Sequence, residues 1–582
     1  MSTTGNVQIT VVDSNAAAVL VPGSNVAFVM GCCSAGTANT LVATANTQTL
    51  TTNLGYGPLV EQCGLLVLSG ATVIACPLAI ATAGVATGAS RTPVTITSST
   101  QASPIVYTAT AHGLVTGEIV TIAGVTGETG ANGTFIVTVL TANTFSANGS
   151  AGTLAPGSGG TAQPLGIEMV NTVTPATPGT SVTTATMAAT TGCFDDYLVQ
   201  LNVTTGGTVG TGPIAFQLSL DAGRNFGPTI QLGTANTYAI PNTGITLNFA
   251  VGTLATGDII RMSTTAPQWN TAGVSAGLTA FQRSQYAVGG VGMMQLVGPI
   301  ASGANASTIE GYLDTLATGY IFNRLLCNTV DVTTPQAWGG AGGQTEAAWM
   351  TAIESSYAAV SSKRISVAAG HYNVPSAYAN PVAGSPAYRR PGQWAASCRQ
   401  VVIPPQRHSG RVKDGALSNI VVNPTSDPTD GFVYHDERLN PGLDANRFTS
   451  FWTRIGLPGF FVLNPNLMSP GGSTLTILPL GNVLDIACDI VHQVGQQQID
   501  SDIRLNANGT IYVNDALALT ADFNNALQAQ MVATGMISDF TVQVDQTNNV
   551  LLTSTVNVTV SIVSRGYVLQ ENVTIGFNTV AA

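Results

Sequence analysis

The stretch LVEQCGLLVLSGATVIACPLA, Leu59–Ala79, decides how the chain is read. Extended to Ala89 its apolar run is long enough to cross a bilayer. But Gly, Ser, Thr and Pro77 interrupt it, and no basic or aromatic residues flank it. A buried helix, Leu59 to Leu68, followed by a buried strand, Thr72 to Leu78, fits it better. That strand–helix writing stops near Arg91 and resumes only after Ala272. There VSAGLTAFQRSQ predicts a helix, and Gly292 to Val297 a strand. ASTIEGYLDTL predicts a helix with Ile309, Tyr312, Leu313 and Leu316 on one face and Ser307 or Thr308 as cap. YIFNRLLCNTV, QTEAAWMTAIESSYAAVSS and RISVAAG continue as strand, helix, strand. Such alternation means an α/β sheet.

The text between is all-β, rich in Thr, Gly, Val and Ala with frequent turn signals. It divides into two insertions, 92–165 and 166–271. In the first, strands Glu118–Ile122 and Thr134–Leu140 flank a hairpin signal at Asn132-Gly133. GTLAPGSGGTAQPLG, closing that insertion, reads as a linker. LATGDIIRM in the second insertion echoes LVTGEIVTI in the first, a shared turn-into-strand device. The chain therefore reads as one α/β domain, 16–91 with 272–440, interrupted by two all-β insertions. A third composition begins at 441. LDANRFTSFWTRI suggests a short helix with Phe448, Phe451, Trp452 and Ile455 inward. GNVLDIACDIVHQV is a helix capped by Asn482, with Val483, Ile486, Ile490 and Val494 as its stripe. TADFNNALQAQMVATG sets Phe523, Leu527 and Met531 on one face and stops at Gly535. Strands at Phe540–Val544, Leu551–Ile562 and Tyr567–Phe577 follow, so 441–582 is an α+β module.

Both ends alternate with period two. Val7, Ile9 and Val11 do so near the N-terminus, and Val573, Ile575 and Phe577 near the C-terminus. Strands need partners for their edges. Leu551–Ile562 pairs inside its own module, whereas the two terminal stretches read as arms that reach out.

Only 8% of the 582 residues are charged, against about 25% in ordinary domains. With 45% apolar residues this is not a disordered composition. A surface so poor in charge suits a subunit covered by copies of itself. The net charge of −11 argues against nucleic acid as a partner. Nine of the eighteen basic residues lie between Arg389 and Arg454. In that block Arg389, Arg390, Arg407 and Arg411, with Asp436 and Glu437, are candidates for intersubunit ion pairs; salt links within the domain are the alternative. The eight cysteines include no CxxC pair, so no zinc site is expected; reduced buried thiols are the reading, with a disulfide at Cys32 or Cys33 left open. The opening MSTTGNVQITVVD has neither the basic start nor the apolar run of a secretory signal. Neither lysine sits in a phosphate-binding loop, no HExxH occurs, and no GxSxG elbow stands out. No catalytic residue, metal or cofactor is expected.

The order of parts resembles the contractile tail sheath proteins of bacteriophages and related injection machines. LVEQCGLLVLSGATVIACPLA is similar to that family's glutamate-bearing helix running into a buried strand. APQWNTAGVSAGLTAF leading to MMQLVGPI resembles the start of its α/β domain. RFTSFWTRIGLPGFFVLNPNLM, two helices and VTVSIVSRGYVLQENVTIGF follow the order of its C-terminal module. The chain departs from the family in lacking a charge-rich middle helix region. The resemblance implies an α+β multidomain chain: a tail-sheath-like α/β core plus an α+β C-terminal module, with two all-β insertion domains and a strand arm at 1–15. It implies a non-enzymatic virion subunit that assembles with itself as six-fold rings stacked helically around a tail tube protein. Baseplate and tail terminator proteins would be further partners, with no nucleic acid and no membrane. Another virion part, a baseplate or fibre component, and a secreted β-rich adhesin or surface protein are the alternatives.

Overall fold

The computed structural model describes residues 25–87, 91–171, 179–332, 344–421, 435–569, 572 and 575. At its centre lies a six-stranded sheet. Its strands are β1 (Val26–Gly31), β2 (Val42–Thr44), β3 (Thr72–Pro77), β4 (Met293–Pro299), β5 (Leu325–Asn328) and β6 (Ile365–Ala368), in the spatial order β2-β3-β1-β4-β5-β6. All neighbours are parallel except β2, which runs antiparallel to β3 at one edge. Every residue of β1 is buried, as a parallel strand covered on both faces requires. Alternation sorts the side chains. Phe28 and Met30 face one layer of helices, α3 (Thr271–Gln282), α4 (Gly303–Thr318) and α5 (Glu346–Tyr357). Ala27 and Val29 face α1 (Thr47–Leu54), α2 (Pro58–Leu68) and α6 (Gly392–Gln400). The Phe28 and Phe281 rings meet at 4.5 Å.

The helix–strand reading of Leu59–Leu78 agrees with α2 and β3 to within a residue at each end. Among the described residues no helix is long and apolar enough to cross a membrane. α4 starts earlier than its pattern suggested. Ser302 is the cap, its side chain accepting from the Asn305 amide, while Ser307 and Thr308 turn their hydroxyls back to carbonyls four residues before them.

The two β insertions share one sheet. The strand Thr161–Asn171 pairs through its first part with Glu118–Ala123 and through its second part with Asp258–Thr265. The boundary at 165/166 thus falls inside a strand, and the Gly-rich stretch read as a linker becomes strand from Thr161. The echo between LVTGEIVTI and LATGDIIRM is structural. Gly117 (φ 95°) and Gly257 (φ 89°) each turn the chain into these two partners. The carboxylate that follows each glycine, Glu118 or Asp258, accepts the backbone N–H three residues before it. Asn132-Gly133 closes a longer connection in place of a two-residue hairpin. Asn132 Oδ1 accepts from the Val125 amide, and its Nδ2 donates back to the Val125 carbonyl.

The second insertion is clamped to the host domain. Val382, Ala383 and Tyr388, from the hairpin of His371–Pro375 with Ala387–Pro391, continue its hydrophobic core. At its other end Gly84 and Gly192 cross with their backbones in contact, and a Cβ on either would strike the other's main chain or Cys193. Gly192 is also left-handed, at φ 70°. Gly192→Ala is expected to cost about 2 kcal/mol or more, read by chemical denaturation.

In the C-terminal module the helices Leu478–Gln498 and Val513–Leu527 support a hairpin of Ile537–Val544 with Val558–Ser564. Phe523, Leu527 and Met531 are buried as read, and Gly535 (φ 72°) ends the run. The first of these helices begins at Leu478 behind Ile477, so Asn482 lies inside it and is not its cap. The short helix expected at LDANRFTSFWTRI is instead a strand, Phe451–Arg454, paired with Leu457–Val462 across Gly456. Phe448 and Phe451 are buried, but Ile455 sits at the turn, 87% exposed. Residues 551–557 precede the strand that begins at Val558, with a helical turn at Val550–Thr553.

Candidate functional site

Beyond the carboxyl ends of β4, β5 and β6 lies a cavity of about 540 Å³. The strand ends at Val297–Pro299, Asn328 and Gly370–His371 form one wall. The β insertion, at Asp195–Leu198 and Ser263–Gln268, forms the other. Open α/β sheets gather their loops at this edge.

Arg390 crosses the junction. It is 3% exposed. Its Nη2 donates to Asp195 Oδ2 at 2.8 Å, and its Nη1 donates to the Asp196 and Arg389 carbonyls at 2.8 and 3.1 Å. Its guanidinium carbon lies 5.2 Å from the Tyr388 ring centre and 5.4 Å from that of Trp394. Glu61, in the first turn of α2, accepts from the Ser376 hydroxyl and the Ala377 amide, holding the same hairpin from the other side. Burial raises the carboxyls of Glu61 and Asp195 more than Arg390 lowers them, and leaves Asp195 at about 7.

Arg389 makes a two-pronged contact with Asp331, 2.7 and 2.9 Å. Burial alone would raise the Asp331 carboxyl; Arg389 and then His371 overcome it and hold it at about 2. His371 itself is pushed down to about 4 by burial, against the pull of Asp331. Arg407 and Arg411 lie 3.8 and 3.4 Å from Asp414 and are partly exposed. Asp436 accepts from the Arg438 and Thr453 amides. In place of intersubunit pairs, Arg389 and Arg390 thus have intrachain ones; Arg390 is buried where the hairpin meets the insertion, and Arg389 is half-buried against Asp331 of the host domain.

Glu437 belongs to a second buried group. His435 lies between Glu346 Oε1, 3.1 Å, and Glu437 Oε2, 3.0 Å. Burial opposes a charged ring, but the two carboxylates outweigh it and raise the His435 pKa above its ordinary 6.5. Glu437 is lowered below 4.5 because its bonds from His435 and the Gly442 amide exceed the cost of burial. The signs differ. The His435 contribution is complete below 6.5 and fades as pH rises through its raised value. The Glu437 contribution is complete above 4.5 and fades as pH falls through its lowered value. Melting temperature is therefore expected to sag as pH rises from 6.5 through the raised His435 value, and His435→Gln should flatten that fall.

Cys32 and Cys33 follow β1, buried and unbonded, and burial pushes both thiols up to about 12. A disulfide between subunits would need them at a surface, and they are not. Among the described residues no cluster of His, Cys, Asp and Glu is placed to hold a metal ion.

The joint to the C-terminal module is also buried. Arg324, at the start of β5, pairs with Asp485 of the Leu478–Gln498 helix and donates to the Gly481 carbonyl at 2.6 Å. Tyr320 stacks on His492 with ring centres 3.9 Å apart. The hairpin beyond it is thinly covered, with Phe540, Val542, Val560 and Ile562 only half-buried. Among the described residues neither of its outer edges pairs with a further strand. Arg565 anchors its end to the Gly535 carbonyl at 3.0 Å, and Tyr567 donates to the Gln406 carbonyl at 2.8 Å. Of the arm residues, Ile575 is 90% exposed, while Val7, Ile9, Val11, Val573 and Phe577 lie outside the described residues. Sequence reasoning missed Asp195, Asp331, Glu61, Arg324 and Asp485. Their partners are distant in the chain, and no local spacing marks them.

Comparison with solved structures finds phage-type sheaths. The sheath tail protein of Desulfitobacterium hafniense is 8% identical, over 96% of this chain and 100% of its own, at a TM-score of 0.39. That of Listeria innocua is 11% identical, over 94% and 96%, at 0.35. The contracted helical sheath of the anti-feeding prophage is 12% identical, over 54% and 77%, at 0.34. No curated protein sequence matches. One family profile does, across residues 4–466, and by that match the chain belongs to the family described as DUF2586, N-terminal domain.

Proposed function

We propose that the chain is a structural subunit of a contractile phage-type tail sheath. Copies form six-fold rings stacked around a tail tube, and the stack contracts to drive the tube through a host envelope. The observation that carries this reading is the C-terminal hairpin. A two-stranded sheet is marginal by itself, and this one has two edges that no described strand covers, in a chain whose ends carry further period-two stretches. Strand addition from neighbouring copies would complete it through main-chain bonds, each worth about 1 kcal/mol net and repeated along the assembly. Such links survive the sliding of whole domains, which contraction requires. The resemblance in the order of parts and the scarcity of surface charge support the same reading. The tail tube, baseplate and terminator are then its partners, the virion tail is its place, and its role is mechanical, not enzymatic.

The test is truncation. Removing residues 1–15, or those after 566, should leave a protein with native circular dichroism that forms no tubes. Tubes from both truncated chains would refute strand exchange as the link.

A further inference from the structure

Charge is scarce on this chain and unevenly placed. Residues 478–582 carry nine Asp and Glu against two Arg, whereas Arg399–Lys413 holds four basic residues and no acidic one. The fold turns this imbalance into two surfaces, each with exposed apolar side chains.

The basic surface forms where residues 410–417 run beside the hairpin of Phe451–Arg454 with Leu457–Val462. The Leu417 amide donates to the Phe460 carbonyl, and Arg399 fixes the loop by donating to the Gly415 and Ala416 carbonyls. Arg407 and Arg411 share one carboxylate, Asp414. Lys413 beside it is exposed, with no ion pair among the described residues. Arg454 stacks over Trp452 at 4.3 Å and has none either. The turn of that hairpin is apolar where turns are ordinarily polar. Ile455 is 87% exposed there, and Leu457 and Val412 are exposed as well.

The acidic surface lies on the C-terminal module. Asp500 and Asp502 follow the Leu478–Gln498 helix and are exposed. Asp522, on the Val513–Leu527 helix, accepts from Gln498 at 2.8 Å, which sets it by the same helix end. Arg504 nearby is taken by Asp515. Val513 and Leu517, one turn apart, and Ile499 are 46%, 59% and 63% exposed. Among the described residues no ion pair joins the two surfaces within one chain.

We propose that they meet between copies, the basic surface of one chain seating the acidic surface of the next. Opposite charge sets the pairing and makes each surface reject its own kind. The apolar side chains supply burial that exposed ion pairs, worth about 0–1 kcal/mol each, do not. A contact between two different surfaces of one chain is heterologous, so it propagates into rings or helical stacks and does not close as a dimer. It rests on the reading that copies of this chain assemble, and it adds to strand exchange a side-chain contact that salt weakens.

The test is sedimentation velocity on the full chain with two face-reversed variants. Arg411→Glu with Lys413→Glu turns the basic surface acidic. Asp500→Lys with Asp502→Lys turns the acidic surface basic. Both pairs are exposed, and circular dichroism should stay native. The wild-type chain should self-associate at low salt and weaken at least tenfold in about 0.5 M salt. Each variant alone should associate about tenfold more weakly than wild type, or worse. Their equimolar mixture should recover association, because every acidic surface then finds a basic one. Association of either variant alone at wild-type strength, or a mixture no stronger than its parts, would overturn the contact. Tubes formed alike by wild type and both variants would overturn it and leave the sheath reading standing. A wild-type chain that stays monomeric at low salt would overturn both.

Discussion

Arg390→Ala is expected to destabilise the folded chain by about 3–5 kcal/mol, because it strands a buried carboxylate without its counter-ion. Asp195 is 1% exposed and, among the described residues, keeps only the Asp196 amide as a charge-compensating donor. Glu61 loses the same positive neighbour. The loss should depend on pH in a definite sense. A carboxyl raised above its unfolded value costs nothing at pH below that unfolded value and its full penalty above the raised one. Asp195 is already at about 7 because of burial, and removing Arg390 takes away the influence that lowers it. The variant should therefore be weakest at alkaline pH and recover progressively as pH falls from above about 7 toward 3.8, measured by denaturant unfolding at several pH values. Pairing it with Asp195→Asn should return part of the loss, since the stranded charge is then gone.

Arg324→Ala should be comparably damaging, about 3–5 kcal/mol, but its effect should be local. Arg324 ties the start of β5 to the Leu478–Gln498 helix through Asp485 and the Gly481 carbonyl, and its Nε donates to the Lys363 carbonyl at 3.2 Å. Gly481 admits the guanidinium, and a Cβ there would collide with it. Burial raises Asp485, and Arg324 is the main influence lowering it again. Four residues on, Asp489 is raised to about 7 by burial and then by Asp485. Without Arg324 two acidic groups share one helix flank. Hydrogen exchange should then rise through 478–498 and the hairpin it carries, with β1 and β3 still protected. Uniform loss of protection would show that the module and the α/β domain unfold as one unit.

The parts legible in the sequence are those decided by local pattern. Leu59–Leu68 and Thr72–Leu78 announce a buried helix and strand through apolar density and the Ser69-Gly70 break. The stop at Gly535 is written in one residue that tolerates φ 72°. Phe448 and Phe451 show where pattern runs out. A spacing of three suits a helix, but Ile455-Gly456 downstream makes a turn, and pairing with Leu457–Val462 gives a strand. Arg390 was visible as part of a basic block, yet its partner lies 195 residues earlier, in an insertion with its own composition. The cavity draws on strand ends and loops from several segments, and no local spacing brings them together.

The central claim, that this chain assembles with itself into a contractile sheath, is tested most directly by cryo-electron microscopy of the purified full chain at high concentration. The account predicts six-fold rings or helical tubes in which the hairpin Ile537–Val544 with Val558–Ser564 gains strands from neighbouring copies. A monodisperse monomer, with Val7–Val11 and Val573–Phe577 paired inside their own subunit, would contradict it.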